Sequence, residues 1–205
     1  MLALGRTIPE RVRATSWGEK FAVSLYESKV LIVGGGGITA ELLRLLAPFA
    51  CPVTVVRNSG EPMLGASFTI GLEELDDHLP DADFVVVAAA LTPQTEGLFD
   101  AHRFALMKPT AYLVNIARGK HVVTRDLIEA LTNGQIAAAA LDVTDPEPLP
   151  DGHPLWNLSN CLITPHTADT PAQVTRMLAD RIRVNAKAFC TGGEMVGLVD
   201  KNLGY

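Results

Sequence analysis

Lys29-Val30-Leu31-Ile32-Val33-Gly34-Gly35-Gly36-Gly37-Ile38-Thr39-Ala40-Glu41-Leu42-Leu43-Arg44-Leu45-Leu46 is the stretch on which the fold turns. An unbroken aliphatic run leads into four glycines, and apolar residues then recur at helical spacing. The pattern predicts strand, tight turn, helix. A strand that is apolar throughout, instead of alternating, suits a parallel sheet whose two faces are both covered by helices.

On either side of this unit the same alternation continues. Strands are expected at 51–57, 68–71, 84–89, 111–116, 136–143 and 161–164. Helical turns are expected at 72–78 and helices at 100–107 and 124–133, with Thr124 as the cap of the latter and Gly134 ending it. A last helix, 171–189, carries Val174, Leu178, Ile182, Asn185 and Phe189 on one face, read as ordinary packing. The fold class is therefore α/β, a doubly wound parallel sheet of Rossmann-like type.

The totals agree and exclude other classes. The 205 residues suffice for one large domain, or one domain plus a fragment. With 23 acidic against 17 basic residues and no basic cluster, nucleic acid is not an expected partner. No apolar run approaches the roughly 20 residues that cross a bilayer, so no membrane role is expected. Arg6, Pro9, Glu10 and Arg11 interrupt the apolar start, so no secretory leader is expected either. Cys51, Cys161 and Cys190 form no CxxC pair. They are read as buried, reduced thiols of a cytoplasmic protein, and no metal site is expected.

Gly34-Gly35-Gly36-Gly37-Ile38-Thr39 is G-x-G-x-x-T, one residue away from the dinucleotide fingerprint. Gly34 permits the sharp turn, and Gly36 lets backbone approach a pyrophosphate at the positive end of a helix. Thr39 replaces the third glycine and implies slightly wider helix–strand packing. Such a turn also suits a methyltransferase or a plain tight turn, but its place between strand and helix favours a dinucleotide. About 20 residues on, an acid usually meets the adenine ribose. Here Arg57-Asn58-Ser59 stands instead, and Arg57 suits a 2′-phosphate; the alternative is a solvated strand-end arginine. The cofactor is thus expected to be NAD or NADP, with a lean to NADP.

Three later segments carry the chemistry: 112–119 with Arg118, 140–149 with Asp142 and Glu147, and 153–168 with His166. Arg118 follows a strand, at the sheet edge where ligands bind. A carboxylate beside an imidazole fixes its tautomer and favours its protonated form, which can give a proton to a carbonyl as hydride arrives. An arginine can clamp a substrate carboxylate. Arg118, Glu147 and His166 together suffice to reduce a keto acid with a nicotinamide.

These segments, with Leu91-Thr92-Pro93-Gln94-Thr95-Glu96-Gly97-Leu98 and Leu106-Met107-Lys108-Pro109-Thr110-Ala111, closely resemble the D-isomer-specific 2-hydroxyacid dehydrogenases. The resemblance runs from about Lys29 to Ala168. It implies Arg118 as substrate binder, His166 as acid/base and Glu147 as its partner. It further implies Asp142 near the nicotinamide carboxamide, and Thr95 with the Gly37 and Ile38 amides at the pyrophosphate. Ile116, Ala117 and Ala168 would line the nicotinamide side. The substrate would be a small 2-keto or 2-hydroxy acid. Ala90, Thr144 and Asp169 depart from the usual family residues without removing a catalytic group.

The resemblance also implies a division of the chain. Residues 1–28 would be a crossing helix and linker, 29–170 the dinucleotide-binding domain, and 171–205 a helix and tail returning to a substrate domain that is largely missing. Apolar surface left by that domain implies association, most simply as a homodimer. A non-catalytic cofactor-binding regulator and an inactive remnant are the competing readings. His78, His102 and His121 are expected at the surface, His153 in loop ordering, and Trp156 as a packing anchor.

Overall fold

In the computed structural model of the chain, Val30, Leu31, Ile32 and Val33 are 3%, 2%, 0% and 2% exposed. Successive strand side chains point to opposite faces, so near-zero exposure at all four means both faces are covered. The structure describes Trp17, residues 23–168 and residues 171–199. Within them lie β1 (Val30–Val33), β2 (Val53–Val56), β3 (Phe68–Ile70), β4 (Phe84–Val87), β5 (Tyr112–Asn115), β6 (Ala138–Leu141) and β7 (Cys161–Ile163). All seven form one parallel sheet in the order β3-β2-β1-β4-β5-β6-β7. The winding reverses between β1 and β4. Connections leave that point in opposite directions, and a crevice opens beyond the carboxyl ends of these strands.

The helices are α1 (Gly37–Leu46), α2 (Leu75–His78), α3 (Ala101–Leu106), α4 (Thr124–Thr132) and α5 (Pro171–Thr191). On one face of the sheet, Val30, Ile32, Val53, Val55 and Val86 pack with Leu43 and Leu46 of α1. On the other, Leu31, Val33, Val85, Val87, Leu113 and Leu141 pack with Phe104 of α3 and Leu127 and Leu131 of α4. Burial of each such side chain contributes roughly 1.5–3 kcal/mol. Each strand expected from sequence forms, but shorter. Ile136 and Val143, for example, are buried at 0% and 2% yet lie outside β6. Apolar content reports burial, and loops flanking a central strand are buried too.

Several sequence expectations need correction. Thr124 does not cap α4; Val123 holds that place, and the Thr124 hydroxyl donates to the Asp145 carbonyl at 2.6 Å. Asp100, not foreseen as a cap, accepts the Arg103 amide at the start of α3. Of the cysteines only Cys161 is buried; Cys51 is half-buried and Cys190 exposed. Trp156 is exposed, its indole N–H donating to the Pro150 carbonyl, and Leu155 is the residue that enters the core. On α5, Val174, Leu178, Ile182 and Phe189 are exposed, so this face does not pack within the described residues. His121, placed at the surface from sequence, is completely buried. Residues 6–14, read as the tail of the crossing helix, and Asp169 lie outside the described residues.

Candidate functional site: the cleft and catalytic edge of a parallel sheet

Beyond β1, β2 and β4 lies a cleft of about 570 Å³. Gly34, Gly35 and Gly36 form one side, Arg57, Asn58 and Ser59 a second, and Ala88 to Ala90 with Thr92 and Thr95 a third. Gly34 has φ +113°, and a Cβ there would lie 2.5 Å from the Ala88 carbonyl oxygen. Only glycine lets the turn pass this close to the continuation of β4. At Gly36 a Cβ would meet nothing within 4 Å, so the backbone there is open to an approaching group. Thr39 is completely buried and its hydroxyl donates to the Gly34 carbonyl at 2.7 Å. The residue in the third-glycine position thus ties the helix back to the turn.

Helix α1 starts with Gly37 and Ile38, with no side-chain cap and no acid in its first turn. Its leading N–H groups and the helix dipole are left for an anion, as a pyrophosphate requires. The Arg57 side chain lies along Gly35, where an added Cβ would come 2.8 Å from Arg57 Cδ. A cation is therefore fixed in the cleft wall beyond β2. Thr95 lines the cleft, but its hydroxyl is engaged, donating to the Ala90 carbonyl and accepting the Thr92 amide, each at 2.8 Å. Thr92 and Ala88 to Ala90 were not singled out from sequence as cleft residues. Their position just past an apolar strand was the available signal.

The remaining candidate residues sit on the loops after β5, β6 and β7. Asn115, fully buried at the end of β5, accepts the Ala117 amide at 3.0 Å and donates to the Arg118 carbonyl at 2.9 Å. Ile116 donates its amide to the Val87 carbonyl, which ties this loop to the strand bordering the cleft. A Cβ on Gly119 would lie 1.9 Å from the Thr144 carbonyl oxygen, so the loop after β5 presses directly on the loop after β6. Arg118 is exposed, and its Nη1 donates to its neighbour's carbonyl at Ala117, not to the pair formed by Glu147 and His166.

That pair is in direct contact. His166 Nδ1 lies 2.6 Å from Glu147 Oε1, with side chains 50% and 39% exposed. A carboxylate only accepts, so Nδ1 carries the proton and Nε2 is left for a substrate. His166 has φ +51°, a left-handed conformation uncommon outside glycine. Its surroundings impose it. The His166 amide donates to the Asp142 and Thr164 carbonyls at 2.9 and 3.0 Å. The buried Asp142 carboxylate accepts the Thr164 hydroxyl at 2.5 Å and the Thr167 and Ala168 amides at 3.1 and 3.2 Å. Asp142 is thus the clamp of the histidine loop, a role the sequence did not suggest.

With this geometry in place, the comparisons with known proteins decide the family. The family model described as "D-isomer specific 2-hydroxyacid dehydrogenase, NAD binding domain" matches residues 1–168. The chain belongs to the D-isomer specific 2-hydroxyacid dehydrogenases. An uncharacterised protein of Corynebacterium melassecola from the proB 3′ region is 42% identical over 198 residues, covering 96% of this chain and 63% of that protein. The human glyoxylate reductase/hydroxypyruvate reductase is 40% identical over 175 residues, covering 81% of this chain and 53% of that protein. A solved D-isomer specific 2-hydroxyacid dehydrogenase of Xanthobacter autotrophicus Py2, in complex with NADPH and MES, superposes with TM-score 0.85 at 34% identity. It covers 99% of this chain and 81% of that one. The chain spans little more than half to under two-thirds of the length of these curated relatives. Its parallel sheet is the dinucleotide-binding fold of the family.

Proposed function

We propose that this chain provides the cofactor site and the acid–base pair of an oxidoreductase that interconverts a small 2-keto acid and its D-2-hydroxy acid. The observation that carries the reading is the 2.6 Å contact between His166 and Glu147, on the same sheet edge as the glycine-lined cleft. Gly34, Gly36 and the Gly37 and Ile38 amides would hold the pyrophosphate, and Ile116, Ala117, Asp142 and Ala168 would border the nicotinamide. When bound, the reduced nicotinamide supplies a hydride to the keto carbon. His166 delivers a proton from Nε2 to the carbonyl oxygen, so that C=O becomes HC–OH, and it takes that proton back in the reverse direction. Glu147 keeps the ring in the tautomer and orientation this transfer needs. Arg118 swings from the Ala117 carbonyl to clamp the substrate carboxylate.

Arg57, flanked by Asn58 and Ser59, supports preference for NADP, because a guanidinium pairs with a 2′-phosphate. The NADPH bound in the Xanthobacter relative is in line with this. The name of the human relative supports glyoxylate or hydroxypyruvate as substrate. The exposed apolar face of α5 supports a homodimer. Three free cysteines support the reducing cytoplasm, and among the described residues no helix is long and apolar enough to cross a membrane.

Steady-state oxidation of NADPH with glyoxylate, hydroxypyruvate and pyruvate tests the reaction. Turnover on at least one is the expected result. NADPH binding without turnover on any keto acid would instead favour a non-catalytic cofactor-binding module.

A further inference from the structure

His121 is fully buried, and its two ring nitrogens reach two different loops of the site. Nδ1 lies 3.0 Å from the Arg118 carbonyl oxygen, and Nε2 lies 3.2 Å from the Ala90 carbonyl oxygen. Arg118 is the proposed substrate clamp, and Ala90 lines the cofactor cleft. The ring therefore spans from the wall of one subsite to the backbone of the other. It is itself held rigidly. The His121 carbonyl accepts the Phe99 amide, and the Gly97 amide donates to the Lys120 carbonyl. The backbone around it is thus fastened to the chain that leaves the 90–95 turn.

A buried polar side chain in an apolar cluster is costly unless its bonds do something an aliphatic residue cannot. A neutral ring carries one N–H, so it donates to one of the two carbonyls and lies against the other; the shorter contact is with Arg118, while the Ala90 carbonyl also accepts the Thr95 hydroxyl. Arg118 bears φ −142° and ψ 146° between two tight turns, so the direction of its side chain depends on where its carbonyl is anchored. Among the described residues, Asn115 Nδ2 and the His121 amide donate to it, and His121 Nδ1 does so in the tautomer that carries its proton there.

We propose that His121 is a positioning residue for Arg118, bridging the substrate loop to the cofactor wall and thereby setting affinity for the keto-acid carboxylate. The role rests on the proposed function. It predicts a selective defect, since His121 touches neither the reacting carbon nor the transferred proton. In the full-length protein, His121→Phe fills the space and removes both ring nitrogens. KM for glyoxylate should rise about tenfold, the scale of one lost hydrogen bond, with kcat and the NADPH Kd changed less than about threefold. His121→Gln keeps an N–H donor of similar reach and should recover most of the glyoxylate affinity. Should the phenylalanine variant not fold, the glutamine and asparagine variants carry the comparison. A purely structural histidine would lower Tm in these variants and leave KM where it was; that pattern overturns the role. A wild-type protein with no keto-acid turnover overturns the functional reading and this role together. Turnover whose KM survives loss of the imidazole overturns the role alone.

Discussion

His166 and Glu147 meet at 2.6 Å across 19 residues of sequence because β6 and β7 are adjacent and parallel, so the loops after both strands emerge at the same edge. The carboxylate occupies Nδ1, and only Nε2 remains for a reacting oxygen. If this pair is the acid–base machinery, His166→Ala should lower kcat/KM by about 10³-fold and Glu147→Gln by about 10²-fold. The NADPH Kd should stay near that of the parent in both. Stopped-flow single turnovers alongside fluorescence titration of NADPH measure the two quantities separately.

Arg57 lies along Gly35 in the cleft wall. Arg57→Ala should raise the NADPH Kd about 10- to 100-fold, the loss of charge-assisted bonds to a phosphate, while NADH binding shifts less than about threefold. Titration with the two reduced cofactors decides it. Equal losses for both would remove the 2′-phosphate from the explanation.

Gly34 and Gly36 should separate folding from binding. Gly34→Ala places a methyl 2.5 Å from the Ala88 carbonyl at a positive φ, and should cost about 2–4 kcal/mol in urea unfolding. Gly36→Ala meets no neighbour within 4 Å and should cost under about 1 kcal/mol. The same methyl stands where a pyrophosphate would approach, so NADPH affinity should drop at least about tenfold.

Asp142 holds the left-handed turn at His166 through three donors on one buried carboxylate. Asp142→Ala leaves those donors without their acceptor and should lower stability by about 2–3 kcal/mol. Turnover should fall with it, because the hydroxyl and the two amides that this carboxylate holds flank His166 on both sides. A variant with parent-like stability and rate would remove Asp142 from the support of the site.

Asp83 ties the sheet's amino-terminal edge. Burial acts to push its carboxyl up, but the bond from Lys108 Nζ and the one from the Lys29 amide outweigh it, so the group sits below the ordinary carboxylate range. A lowered value in the folded state means the contribution is fully present above the unfolded value and is lost as pH falls through the folded one. Asp83→Asn should therefore cost about 0.5–1 kcal/mol at pH 7, a figure reduced by partial solvent exposure. The gap to the parent should close below about pH 4. Urea unfolding at several pH values follows it directly.

The sequence determined the layer architecture and the candidate groups at its carboxyl edge. Strand 30–33 had to be covered on both faces because every residue in it is apolar, and the glycines had to form the turn because the chain reverses there within four residues. Arg57, Glu147 and His166 were legible because each lies just past a strand, and strand ends converge at one edge of a parallel sheet. The tertiary structure decided what those groups rest on. His121 belongs to a segment that sequence alone reads as a surface turn; it is buried because the loops at 97–99 and 118–122 close over it. Asp142 clamps a loop more than twenty residues away, and among the described residues nothing covers the apolar face of α5. Periodicity records which residues avoid water. Which distant backbone atoms a buried polar side chain will meet depends on chain packing, and no local pattern encodes it.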